Sequence, residues 1–131
     1  MREYNLKLYE SRVRVGVTYL DYLHSRNTEA IHCLSLASSG RGTEIVPNAL
    51  GGLLSDAPIA VVRMFMPPHI RDAALVTEGN LREIAQVLKQ AAGPPSPEHL
   101  KHFELSLATF ATSQKVVVDA LAELFQHPAN S

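Results

Sequence analysis

Tryptophan is absent from this 131-residue sequence, cysteine occurs only once, and neither sign of charge dominates. The single cysteine, Cys33, excludes an intramolecular disulfide and a zinc cluster made of cysteines. The 12 Lys and Arg residues nearly balance the 13 Asp and Glu residues, which disfavours both a basic nucleic-acid-binding protein and an acidic disordered tail. Nucleic acid is therefore not an expected partner.

Long apolar runs are also missing. The longest one, from Ala57 to Val62, is far too short to cross a membrane. The N-terminal residues carry charges where a signal peptide needs an apolar stretch. Together with the lone cysteine, these features predict a cytoplasmic protein with no membrane contact.

The overall composition is typical of one globular domain, with 46% hydrophobic and 19% charged residues. A chain of this length removes roughly two-thirds of its unfolded surface from water, so it can fold without a metal or a disulfide. The sequence shows no internal repeat. We expect residues 1–131 to form a single helical domain.

The C-terminal part has the strongest helical pattern. Ser96 can cap a helix whose first residue is Pro97, and the next helix breaker is Pro128. Apolar residues recur between them at alternating steps of three and four, interrupted only by Gln114. These seven residues, called the seam below, are Leu100, Phe103, Leu107, Phe110, Val117, Leu121 and Leu124.

The seam predicts self-association. A helix of about 28 residues overhangs a bundle made from one such chain and short middle helices, so a second copy is expected to cover part of it. A kink near Thr112 and Ser113 is the alternative, because these residues compete for backbone hydrogen bonds and could fold the helix back into a compact monomer.

The N-terminal part repeats the same spacing from Leu6 to Ala30. The polar stretch from Ser25 to Thr28 indicates a place where this helix ends and a second one begins. The second helix would run to Ala37, with Gly40 as its natural stop.

The middle part contains most of the glycine and proline. Asn80 and Glu83 match a capping box, which predicts a helix that begins at Asn80. Residues 58–66 form either a short buried helix or a strand, since periodicity does not separate the two. Residues 69–76 are expected to add one or two helical turns, and residues 40–57 to form a loop.

These elements predict an all-α helical bundle of five or six helices, in which long N- and C-terminal helices pack side by side. A strand at 58–66 would change the class to α+β.

Five polar residues are candidates for a ligand site. Arg63, His69 and Arg71 lie near the two middle prolines, and His99 and His102 begin the C-terminal helix. Around an internal pocket they could bind a small ligand or a metal, which makes a ligand-binding or enzymatic bundle the first alternative function. Their spacing matches no metal-binding motif, so no metal site, cofactor or catalytic residue is predicted.

A DNA-binding regulator is the second alternative function. Residues 81–88 resemble the first helix of a helix-turn-helix domain, and residues 96–100 could begin the second helix. The intervening turn is longer than the three or four residues of that motif, and Lys101 is the only permanent cation on the face that would read DNA.

No local group of residues suited to acid-base, nucleophilic or metal chemistry is apparent, which favours a non-catalytic role. We expect a helical interaction protein, such as an adaptor, regulator or immunity-type factor. It would act through an apolar helical surface and form a homodimer through the seam.

Overall fold

The computed structural model describes residues 2–41, 57–91 and 96–126, and these residues form four α-helices. The helices are α1 (Arg2–Ser38), α2 (Ala57–Phe65), α3 (Pro68–Ala91) and α4 (Pro97–Gln126). The all-α class is confirmed, and the α+β alternative is wrong because residues 57–65 are helical. The expected count of five or six helices is wrong, since two predicted boundaries lie inside continuous helices.

The first of these boundaries, at the polar stretch around Asn27, lies within α1. Thr28 donates its hydroxyl to the carbonyl oxygen of His24 at 3.0 Å, and Arg26 forms an ion pair with Glu29 at 3.0 Å. Both contacts join residues about one turn apart, so the polar stretch supports the helix instead of ending it.

The predicted stop at Gly40 is confirmed. Its φ of 76° is in the left-handed region that favours glycine. The amide of Gly40 bonds to the carbonyl of Ala37 at 3.2 Å, and that of Arg41 to the carbonyl of Leu36 at 2.8 Å. These two bonds satisfy carbonyls that the helix end leaves free. Most of the loop predicted at 40–57 lies outside the described residues.

The second wrong boundary is the capping box at Asn80, which lies in the interior of α3. The helix begins at Pro68, where a missing amide proton costs nothing. The carbonyl of Pro67 accepts bonds from the amides of Ile70 and Arg71, at 3.1 and 3.0 Å. The turns predicted at 69–76 are thus the first part of a longer helix.

The predicted start of α4 is confirmed, because the Ser96 Oγ accepts a bond from the His99 amide at 3.2 Å. The alternative, in which a kink near Thr112 and Ser113 folds the helix back, is not observed, since α4 runs as one helix from Pro97 to Gln126. Thr112 and Ser113 donate their hydroxyls to carbonyls of the preceding turn, at 3.0 and 2.9 Å, without interrupting the helix.

The helices α3 and α4 pack as an antiparallel hairpin. Asn80 donates from Nδ2 to the Oγ of Ser113 at 2.8 Å, while Glu83 Oε1 lies 3.2 Å from Nε2 of His102. Later positions of α3 therefore meet earlier positions of α4, as an antiparallel arrangement requires.

The helix α1 contacts both α2 and α4. Tyr9 donates its hydroxyl to the carbonyl oxygen of Phe125 at 2.9 Å, and Gly16 lies against the Phe125 ring. On another side, the Nε of Arg12 donates to the carbonyl oxygen of Phe65 at 2.7 Å, at the end of α2. α1 therefore links the short helix to the hairpin.

The core is formed by apolar residues from all four helices of one chain. Its members include Tyr19, Leu23, Ile59, Val62, Ile70, Ile84, Phe103 and Phe110. Burying one large aliphatic or aromatic side chain of this kind stabilises a fold by about 1.5–3 kcal/mol.

Candidate functional site

The seam of α4 faces the interior of the chain itself. Six of its seven residues are buried, namely Phe103, Leu107, Phe110, Val117, Leu121 and Leu124, and Leu100 is half-buried. The partners come from α1 and α3, as Gly16 beside Leu121 illustrates. In this fold the seam is already covered, so the surface open to another molecule lies elsewhere.

The five polar candidates do not converge on one pocket. Arg63 and His69 are exposed and Arg71 is half-buried near the start of α3, whereas His102 pairs with Glu83 in the second half of that helix. His69 and Glu83 are 14 positions apart on one α-helix, which corresponds to about 21 Å. His99 is exposed in the first turn of α4.

Within the ranges that the structure describes, no three His, Cys, Asp or Glu side chains come together in an arrangement that could hold a metal ion. None of the helices in those ranges is both long and apolar enough to cross a membrane.

A polar cluster joins α1 to α3 in the interior. Tyr22 donates its hydroxyl to Glu78 Oε1 at 3.1 Å, and the Arg26 guanidinium lies 5.4 Å from the centre of the Tyr22 ring. Tyr19 stacks on Tyr22 with ring centres 5.7 Å apart and donates to the carbonyl of Ala74 at 3.4 Å. Glu78 is only 7% exposed, so its carboxylate is held between the two helices that this cluster connects.

Burial changes the titration of a tyrosine in this cluster. Desolvation first, and then the charges of Glu78 and Tyr22, raise the pKa of the Tyr19 phenol well above its ordinary value of 10.0. Tyr19 therefore remains a neutral hydrogen-bond donor at physiological pH.

The lone cysteine is equally protected. Burial, and secondly the charge of Glu29, raise the pKa of the Cys33 thiol. Cys33 lies in the core with 2% exposure, which suits a small apolar role and not a reactive thiolate.

An open groove of about 450 Å³ lies between α1 and α2. The described residues that line it are Ser11, Arg14, Val15, Thr18 and Tyr19 from α1, and Val61 and Phe65 from α2. Most of these side chains are short, which leaves space between the two helices. Arg14 is the only charged residue among them, so the groove combines apolar walls with one cation at its margin.

The outer side of α2 continues the apolar wall of the groove. Val61 is 38% exposed, and Met64, one turn further along, is 76% exposed. The opposite side of the same helix buries Ile59 and Val62 in the core. A short helix that is apolar on both sides normally has both sides covered. We call Ala60, Val61 and Met64 the α2 ridge.

The candidate site of this fold therefore consists of the groove, Arg14 and the α2 ridge. The sequence contained a signal for it, because the run from Ala57 to Val62 has no polar residue to place toward water. Periodicity indicated burial of this run, but the identity of the neighbouring helix, α1, depends on the tertiary fold.

Comparison with known proteins finds no matching protein-family model, no matching curated protein and no matching solved structure.

Proposed function

We propose that this protein is a non-catalytic helical interaction protein whose groove between α1 and α2 binds an amphipathic helix of a partner protein. The observation that carries the proposal is the α2 ridge, in which Val61 lines the groove and Met64, one turn further along α2, is 76% exposed. Exposed methionine is common on surfaces that bind partner helices, since its flexible thioether adapts to their side chains.

The dimensions and chemistry of the groove suit such a partner. A volume of about 450 Å³ is enough to receive a few apolar side chains, and a bound helix presents these at intervals of three or four residues. Arg14 at the margin would pair with an acidic side chain of the partner and so orient it. We therefore expect the partner helix to have one apolar face flanked by Asp or Glu.

A display library of helical peptides about four turns long tests this proposal. Selection against the immobilised protein should enrich peptides with apolar residues at i, i+3 or i+4, and i+7, together with an adjacent acid. Binding of the enriched peptides should be lost in Met64→Asp, which puts a charge on the α2 ridge. Val116→Asp puts the same charge on an exposed apolar residue of α4, which is 54% exposed, and as the control it should retain binding.

Charge reversal of Arg14 gives the sharper test. In Arg14→Glu the acidic preference of the enriched peptides should change to a basic one, while their apolar spacing should stay the same. Selections that enrich no helical pattern, or peptides that bind Met64→Asp as well as the wild type, would overturn the proposal.

A further inference from the structure

The solvent side of α4 carries a second series of residues at alternating steps of four and three, opposite the buried seam. The series is Lys101, Leu105, Ala108, Thr112, Lys115 and Asp119, and every member is exposed. We call it the outer series. This spacing places the six side chains in one row along the helix, the arrangement that a second helix can pack against.

The middle of the outer series is suited to close packing. Leu105 is 59% exposed and the adjacent Val116 is 54% exposed, although both are large and apolar. Thr109 and Thr112 donate their hydroxyls to carbonyls of their own helix, each at 3.0 Å, so these hydroxyls need no bond from a partner. The small Ala108 would let another backbone approach.

Charged residues flank this uncharged middle in a self-complementary order. Lys101 precedes it and Asp119 follows it, and the neighbouring Glu104 is matched in the same way by Lys115. Both pairs are centred close to position 110. A second helix related to the first by a two-fold rotation about that point runs antiparallel to it, and each of its cations then faces an anion of the first helix.

We infer that a second copy of this chain binds the outer series, with the two α4 helices antiparallel about a two-fold axis near position 110. Lys101 of each copy then faces Asp119 of the other, Glu104 faces Lys115, and Leu105 packs beside Val116. If the two α4 helices were parallel, each charged residue would face the same residue of the other molecule, so like charges would meet at all four positions. The charge order thus selects one orientation.

This dimer uses a different helix from the groove proposed above and does not depend on it. Its contact consists of one helix face from each copy, which is small for a protein interface. Exposed ion pairs determine the relative orientation of the two copies but contribute little to the affinity between them. We therefore expect a dissociation constant in the micromolar range that rises with salt concentration.

Sedimentation velocity of the full chain from about 5 to 300 µM at low salt tests the inference. The wild type should form dimers across this range. Lys101→Glu should raise the dissociation constant of the dimer about fivefold or more. The two-fold axis repeats the lost ion pair, and each introduced carboxylate would repel Asp119 of the other copy. The double variant Lys101→Glu with Asp119→Lys should return the dissociation constant to within about twofold of the wild-type value. The exchanged charges again face opposite charges only in the antiparallel pair.

Two further variants separate the surfaces. Thr112→Glu puts a carboxylate into the uncharged middle and should abolish the dimer, while Met64→Asp on α2 should leave it unchanged. Circular dichroism checks that each variant keeps its helicity. A wild type that is monomeric at 300 µM, a dimer that tolerates both Lys101→Glu and Thr112→Glu, or failure of the double variant to recover would each overturn the inference. The peptide selections are unaffected by these outcomes.

Discussion

At the scale of single residues, Gly16 controls how closely α1 approaches α4. A Cβ placed on Gly16 would lie 2.7 Å from Cζ of Phe125 and 3.2 Å from Cδ2 of Leu121. The absence of a side chain is therefore a packing requirement, although glycine inside a helix is unfavourable by about 0.5–1 kcal/mol relative to alanine.

Replacing two glycines in helix interiors by alanine separates this packing effect from the effect of helix propensity. Gly79→Ala meets no atom within 4 Å, so it should raise the free energy of unfolding by about 0.5–1 kcal/mol. Gly16→Ala gains the same helix propensity but must displace the Phe125 ring, and we expect a net loss of about 1 kcal/mol. Urea denaturation measures both values. Equal stabilisation by the two changes would show that the ring moves without cost.

The raised pKa of the Tyr19 phenol predicts a loss of stability in alkali. In the unfolded chain this phenol ionises near pH 10, whereas in the folded chain it keeps its proton, so the free energy of unfolding should fall as pH rises above about 10. Tyr19→Phe removes the ionisable group. Between pH 8 and pH 11 it should lose less stability than the wild type in urea denaturation, and an equal loss in both proteins would contradict this assignment.

At the scale of elements, a side chain of α1 completes the end of α2. The last carbonyls of a helix have no partner within it, and the Nε of Arg12 donates to that of Phe65 at 2.7 Å. The chain then turns through Met66 and Pro67 and begins α3 at Pro68. Arg12 therefore holds the junction of α2 and α3 against α1.

Replacing Arg12 should loosen this junction. Arg12→Met leaves the Phe65 carbonyl without its charged donor and should lower the free energy of unfolding by about 1.5 kcal/mol. Arg14→Met, two positions away on the exposed margin of the groove, is the matched control and should change stability by no more than about 0.5 kcal/mol. Chemical denaturation followed by circular dichroism gives both values, and similar losses in the two variants would refute the role of Arg12.

The elements that were predictable depended on local signals. The start of α4 followed from Ser96 and Pro97, because a cap and an N-terminal proline act within one turn. Asn80 misled the prediction for the opposite reason. Its side chain has the chemistry of a cap, but its hydrogen-bond partner, Ser113, is 33 residues away on another helix.

At the scale of the whole molecule, each helix has one side that packs in the core and another side that is exposed to solvent. The seam of α4 contributes to the core, and its outer series remains exposed. α2 likewise buries Ile59 and exposes Met64. The two proposed interactions use different helices, which is why a single charged substitution should remove one and leave the other.

The same distinction separates what the sequence determined from what the tertiary structure decided. The three-four spacing was sufficient to predict helices in both terminal parts of the chain, because helix formation depends on residues within a few turns. It left residues 58–66 open between helix and strand, so the structure decided the all-α class. Periodicity also identified the seam as a surface that must be covered. It could not say that α1 and α3 of the same chain cover it, since a buried face has the same pattern whichever helix packs on it. Only the chain's path through space decided that, and with it which surfaces are left for a partner.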